Sequence, residues 1–247
     1  MMKEPLLSVI IPVYGTEKLV PRCLDSIIKS SYKNIEIVVV DDKSPGNIAE
    51  IISFYKDIYP NITFIRHQAN KGLYAARISG VEAASGDYIA FLDSDDRVSC
   101  DFYRRLIQKA ELDNADMVIG EYVLEFPNGT YQYQNYSHTR LLELSAENED
   151  VLKCLLQQKG SDYSLWVVWN KIYHKSIWEK ALPYLKQQKR HLIMCEDILY
   201  STVLYAFSER LRSIKGDYVF YYKDEGSSTS RASLTYDKIL KNINDIS

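Results

Sequence analysis

Three carboxylates fall within four residues at Asp93-Ser94-Asp95-Asp96, directly after the apolar run Tyr88-Ile89-Ala90-Phe91-Leu92. Acids crowded that closely repel one another unless a cation holds them. Hard divalent ions take oxygen ligands, and magnesium in particular is held by one or two carboxylates together with substrate phosphates. A D-x-D closing a buried strand is therefore a natural grip for a metal–diphosphate. Taken alone, the same residues also read as a solvated turn whose aspartates cap the next helix.

Three further groups carry polar chemistry. Asp41-Asp42-Lys43-Ser44 follows another buried run and offers acceptors to a base N–H or a ribose hydroxyl; it reads equally as a loop capping the next helix. Asn70-Lys71-Gly72 precedes a helix that presents Arg77. A helical arginine aimed at strand ends pairs with a diphosphate or a base, although a plain surface arginine is the commoner case. Glu196-Asp197 opens an amphipathic helix. Acids in a first turn suit the helix dipole with no further role, whereas transfer onto a hydroxyl needs a carboxylate beside the attacking oxygen. The two acidic clusters stand far apart in sequence, a separation only the fold can close.

The elements that must position these groups alternate through the first half. Leu7–Val13 is a β-branched run suited to a parallel strand buried on both faces. Val20, Cys23, Leu24, Ile27 and Ile28 repeat at helical spacing, with Pro21 tolerated in the first turn. Ile35–Val40, Ile62–Ile65 and Tyr88–Leu92 predict further strands, separated by helices marked by Ile48, Ile51, Ile52 and Tyr55 and by Gly72–Ala84. This β-α-β-α-β-α-β order calls for a parallel sheet with helices on both faces. Ligands of such sheets bind beyond the carboxyl ends of the strands, where Pro12-Val13-Tyr14, Asp41-Asp42 and Asp93–Asp96 all stand.

After a helix at Phe102–Leu112 the pattern changes. Met117–Phe126 and Thr130–Tyr136, joined by Pro127-Asn128-Gly129, predict a hairpin on which Tyr131 and Tyr133 share a face as sheet packing rather than a sugar platform. A helix over Ala146–Gln157 and a polar loop at Gln158–Ser164 follow, and Trp166–Ile177 is ambiguous between strand and helix. A helix at Ile198–Phe207, a strand at Tyr218–Tyr222 and a terminal helix at Leu234–Ile246 complete the expected order.

A length of 247 residues fits one large α/β domain or a domain with an appended lobe, and 46% apolar with 26% charged residues is ordinary for a globular chain. The net charge of −3 offers no basic field to nucleic acid. Cys23, Cys100, Cys154 and Cys195 form no C-x-x-C pair, so thiols of a reducing compartment are expected rather than a zinc site. No run of 18 apolar residues occurs, and Met-Met-Lys-Glu-Pro is no signal sequence. The expected compartment is the cytoplasm.

Taken in order, Val9-Ile10-Ile11-Pro12-Val13-Tyr14, Val40-Asp41-Asp42-Lys43-Ser44, Asn70-Lys71-Gly72 through Arg77 to Gly80, Gly86 through Asp96, and Glu196-Asp197 resemble the motifs of family 2 glycosyltransferases. The likeness is to bacterial enzymes that build capsule, lipopolysaccharide or related surface glycans. It is dense over 6–116, thins over 117–165, and returns at Trp169-Asn170-Lys171-Ile172-Tyr173, at Glu196-Asp197 and at Tyr221-Tyr222 through Ser227-Ser228-Thr229. It implies an α/β protein of the GT-A fold, Rossmann-like, with a mostly parallel central sheet flanked by helices and a C-terminal acceptor-side extension. The donor half would be 1–116, and the acceptor and catalytic-base half 117–247, in one globular unit.

The resemblance also implies roles. Pro12 and Tyr14 would border the nucleotide base, Asp41 or Asp42 would bind uracil or ribose, and Arg77 would lie over the base or diphosphate. Asp93 would reach the ribose or the metal, with Ser94 beside it in the nucleotide-sugar site. Asp95 would ligate Mn2+ or Mg2+. Asp197 would be the general base and Glu196 would assist acceptor binding, while Lys171 and Ser227–Thr229 would help hold the diphosphate or a closing lid. Lys43 and Ile78 depart from the usual glycine and asparagine. The implied reaction moves a sugar from a UDP-sugar to a glycan, lipid-linked or glycoprotein acceptor, with any membrane association peripheral, at the inner face. Two other classes stay open. A sugar-nucleotide nucleotidyltransferase wants a glycine-rich phosphate loop, which Tyr14-Gly15-Thr16-Glu17 supplies poorly. A non-catalytic sugar-binding protein on this fold would lack one of the acidic groups.

Overall fold

All seven residues of β1 (Leu7–Val13) and all seven of β2 (Ile35–Asp41) are buried, as strands covered on both faces must be. The computed structural model describes residues 4–133, 144–157, 163–188 and 196–224. Around those strands stand α1 (Val20–Ile28), α2 (Ile48–Ile58), β3 (Ile62–Arg66), α3 (Leu73–Ala83) and β4 (Tyr88–Phe91). The order β3-β2-β1-β4 is parallel throughout, with Leu7 opposite both Ile35 and Tyr88. The alternation expected from sequence is therefore present, strand for strand.

The chain continues through β5 (Arg97–Val98), α4 (Phe102–Asp113), β6 (Met117–Glu125), β7 (Tyr131–Tyr133), β8 (Ser145–Glu147), α5 (Glu149–Leu156), α6 (Tyr163–Trp166), β9 (Lys171–His174), α7 (Lys175–Leu185), α8 (Glu196–Phe207) and β10 (Arg210–Tyr222). The sheet runs on from β4 as β9-β6-β10-β5. β9 is antiparallel to both β4 and β6, whereas β6 and β10 are parallel. The sheet is thus parallel where strand and helix alternate and mixed beyond, a GT-A type α/β architecture. Because β9 bonds β4, it runs unbroken between the two halves of the chain.

Several sequence expectations resolve differently. The ambiguous stretch Trp166–Ile177 is the end of α6, then β9, then the start of α7. The helix expected from Ala146 begins at Glu149, because Ser145–Glu147 pairs with β10 instead. The strand seen at Tyr218–Tyr222 is the end of a longer one whose register shifts between Ser213 and Tyr218, with Gly216 at φ +84°. Ser227–Thr229, the terminal helix and the residues beyond Tyr133 in the hairpin lie outside the described residues. Among the described residues no helix is long and apolar enough to cross a membrane.

The placement of α3 matters most for the site. Its cap, Gly72, sits at φ +88° and ψ 162°, a conformation that essentially only glycine adopts. Both Lys71 N–H (2.8 Å) and Gly72 N–H (2.7 Å) donate to the Asp42 carboxylate, which pins the start of the helix to the end of β2. About two turns further, Gly80 lies so close to β1 that a Cβ would stand 2.2 Å from Ile10 Cγ2. That close approach lets Arg77 pass beneath the helix toward the end of β4. Gly80→Ala should cost about 1–3 kcal/mol by overpacking, read as a lower midpoint in urea with unchanged slope.

Candidate active site

The acidic turn leaves β4 still tied to β1, since Leu92 N–H donates to Ile10 O, and it closes where Asp96 N–H donates to Asp93 O at 2.9 Å. Ser94 is buried, its hydroxyl 2.6 Å from that of Thr16. Asp96 is fully buried as well. One of its carboxylate oxygens accepts the Tyr222 N–H at 2.8 Å, and the other has no partner. Burial, then the charges of Asp95 and Asp93, push the Asp96 carboxyl well up. Burial and the neighbouring Asp93 likewise raise Asp95 to about 6. Burial and crowding in the turn thus favour the protonated acids.

Arg77 joins this turn to the late acidic pair. Its side chain is 1% exposed and its guanidinium meets three carboxylates: Asp93 Oδ1 at 2.9 Å, Asp197 Oδ1 at 2.7 Å and Glu196 Oε1 at 3.1 Å. α8 is brought there by aromatic packing, with Tyr200 stacked on Tyr74 of α3 at 4.7 Å and its hydroxyl donating to Tyr74 O at 2.7 Å. Against the desolvation of Arg77, the three acids hold its proton firmly. One cation among three carboxylates leaves an excess of negative charge. Burial raises both Glu196 and Asp197 above the ordinary carboxylate range; Arg77 offsets part of this and the neighbouring acids add to it. Asp197 still shows 19% of its side chain to solvent, so a substrate hydroxyl can reach it.

The other expected residues land in different settings. Pro12 is buried within β1, and Tyr14 follows it 57% exposed. Asp41 is buried; its Oδ1 accepts Ser44 N–H at 2.7 Å and its Oδ2 lies 3.1 Å from Arg66 Nε. Asp42, besides the two α3 amides, contacts His67 Nδ1 at 2.6 Å. Both acids thus hold loops at the strand ends, and a base or ribose would have to share their oxygens. Two of the expected nucleotide-sugar residues are buried in contacts within the protein. Arg77 turns Nη1 and Nη2 to the three acids, while its Nε has no hydrogen-bond partner. Lys171 has no exposed surface, and its ammonium donates to Ser164 O, Val167 O and Asn170 Oδ1, three acceptors for three protons. It braces the turn before β9. Tyr131 and Tyr133 pack edge-on against Phe220 and Tyr218 at 5.7 Å.

Among the described residues no three His, Cys, Asp or Glu side chains gather into a cage for a metal ion. Asp93 and Asp95 offer oxygen ligands only, with an unrelieved charge beside them. That donor set suits Mg2+ or Mn2+ completed by phosphate oxygens and water, the usual manner for such ions. Two concavities of about 600 and 630 Å³, one lined by Leu152, Leu156, Tyr205 and Phe207 and the other by Tyr32, Ile107 and Leu112, share no residue with this site.

Residues 8–161 match the family model described as glycosyl transferase family 2. The chain belongs to that family. Among similar proteins, the uncharacterized glycosyltransferase EpsJ of Bacillus subtilis is 30% identical over 226 residues, covering 91% of this chain and 63% of EpsJ. Glycosyltransferase GlyA of Streptococcus pneumoniae is 32% identical over 224 residues, covering 87% of this chain and 32% of GlyA. The chain therefore spans less than two thirds of either relative. The crystal structure of S. aureus TarS 1-349 in complex with UDP-GlcNAc superposes with a TM-score of 0.72 at 22% identity, covering 98% of this chain and 66% of that one. The family 2 fold is shared across that distance.

Sequence reasoning located both acidic clusters and Arg77 but not the bridge between them. It also passed over Arg22 and Glu125, which touch the acidic turn or its supports. Nothing in spacing or composition marks those two; Arg22 reaches the turn from α1, and the sheet order beyond β4 brings Glu125 to it.

Proposed function

We propose that the chain is a glycosyltransferase that moves a sugar from a nucleotide sugar, a UDP-sugar, onto a hydroxyl of a glycan, lipid-linked or glycoprotein acceptor, in one inverting displacement. The observation that carries this reading is the Arg77 bridge, which sets a donor-side carboxylate, Asp93, and a base-side pair, Glu196 and Asp197, around one guanidinium. Membership of family 2 and the likeness to the UDP-GlcNAc complex of TarS support a UDP-sugar donor.

Asp197 takes the proton from the acceptor hydroxyl as that oxygen forms its bond to the anomeric carbon. The bond from the anomeric carbon to the diphosphate oxygen breaks on the opposite face, so an α-linked donor gives a β-linked product. Arg77 fixes Oδ1 of Asp197, which orients the carboxylate toward the acceptor. Glu196, on the same nitrogen of Arg77, lies beside it to take an acceptor hydroxyl. Asp95 and Asp93 would hold Mn2+ or Mg2+, whose bound charge offsets that gathering on the departing diphosphate.

The test is calorimetric titration of UDP with and without Mn2+, followed by donor hydrolysis across a panel of sugar nucleotides. UDP should bind in a metal-dependent way and raise the melting temperature accordingly, and Asp95→Asn should abolish that dependence. Absence of metal-dependent affinity for UDP, GDP and CMP alike would refute the reading. Binding without any turnover of donor would leave a sugar-nucleotide-binding protein.

A further inference from the structure

Arg22, on α1, reaches the acidic turn at Asp95, as Arg77 reaches it at Asp93. Its Nη2 donates to the backbone carbonyl of Asp95, its Nη1 pairs with Glu125 Oε2 at 3.0 Å, and its guanidinium lies 4.5 Å from the centre of the Tyr222 ring. The N–H of Tyr222 in turn donates to Asp96. Glu125 ends β6 and Tyr222 ends β10. One side chain of the first half thus knots the acidic turn to two strands of the second. Its charge also bears on Asp95 and Asp96, opposing their mutual repulsion.

We propose that Arg22 is a positioning residue for the donor site, holding the Asp93–Asp96 turn in the shape in which Asp95 serves the cation and diphosphate. This rests on the function proposed above for the two aspartates. Arg22 would not touch the donor; it acts through the Asp95 carbonyl and through the strand ends that frame the turn. A planar fork suits this task, because two directed N–H groups span two acceptors while the flat face stacks on an aromatic ring.

Arg97 supplies an internal comparison. It pairs with the same Glu125, at 2.9 Å, and its guanidinium lies 3.6 Å over the Phe220 ring. It follows Asp96 in the chain, but among the described residues its side chain hydrogen-bonds to Glu125 and Tyr131 and to no group of the turn from Asp93 to Asp96. Loss of either arginine removes one positive charge, and Arg97 makes three hydrogen bonds to Glu125 where Arg22 makes one, but only loss of Arg22 releases the turn.

The experiment compares Arg22→Gln, Arg22→Lys and Arg97→Gln with the unaltered chain by titrating UDP in Mn2+. In parallel, backbone-amide exchange is followed over 92–99 and at Tyr222 without ligand. Arg22→Gln should weaken Mn2+-dependent UDP affinity about tenfold or more and speed exchange at Asp96 and Tyr222. Arg97→Gln should stay within about twofold on both measures, and Arg22→Lys should fall between, since an ammonium keeps the charge but not the fork. Unchanged affinity and exchange in Arg22→Gln, or an equal loss in Arg97→Gln, would overturn the proposal. Should Arg22→Gln not fold, Arg22→Lys decides: a several-fold loss supports the positioning role and affinity equal to that of the unaltered chain overturns it. If the unaltered chain binds no UDP with Mn2+, the donor-site reading fails by itself. The exchange arm then decides the inference, with unchanged protection in Arg22→Gln as the overturning result.

Discussion

Arg77→Met is expected to lower the unfolding free energy by about 3–5 kcal/mol at pH 7.5, the scale on which removing one partner of a buried ion cluster acts. Methionine fills much of the same volume, so the loss is chiefly electrostatic. Asp93, Glu196 and Asp197 would then face one another without the cation that now contacts all three. Their response is to hold protons. In the variant the folded-state pKa values of Glu196 and Asp197, already raised by burial, rise further above their unfolded values of ~4. The stability linked to them is then complete below ~pH 4 and declines as pH rises through the raised folded values. Urea denaturation should therefore show a large deficit at pH 7.5 that shrinks at pH 5.5. An equal deficit at both values would mean that packing, not charge, is what Arg77 provides. Arg77→Lys should recover little, because one ammonium cannot reach three carboxylates in the directions a guanidinium does.

Asp197→Asn is expected to lower kcat by about 10²–10⁴-fold while leaving the dissociation constant for UDP and Mn2+ nearly unchanged. The amide oxygen keeps the bond from Arg77 Nη1 that Asp197 Oδ1 accepts at 2.7 Å, so the site retains its shape and loses its base. Asp95→Asn should show the converse division, with donor binding lost first. Equal loss of donor affinity in both variants would dissolve that assignment of roles. The sign of the pH dependence follows from burial, which lifts the Asp197 carboxyl above the ordinary range. Turnover needs the ionised form, so rate should fall with decreasing pH well before ~4, the value of an unperturbed aspartate. A profile flat down to pH 5 would contradict it.

The first half of the chain was legible because its physics is local. Continuous β-branched runs report burial on both faces, and helical spacing between them reports the crossovers. The second half was read less well, since β9 and α7 share an aromatic stretch, Trp166–Ile177, whose pattern fits either element. Only pairing of Lys171–His174 with both β4 and β6 settles it as a strand. Within the site, residue types named the candidates but could not tell a ligand from a brace. Lys171 and Asp42 look alike in sequence as polar groups near strand ends, and the structure employs both to hold loops. Lys43 shows the reverse case: its φ of +65° lies in the left-handed region, so the glycine usual at that position answers a backbone demand visible only in three dimensions.

The place of β9 between β4 and β6 has a consequence for dissection of the molecule. A fragment ending near residue 116 would keep β3-β2-β1-β4 but leave β4 with one row of amides and carbonyls open, beside the apolar surface that α7 and α8 now cover. Bare edges of that kind recruit other chains. The sheet is for that reason one indivisible body, and neither half of it can be excised to be studied alone.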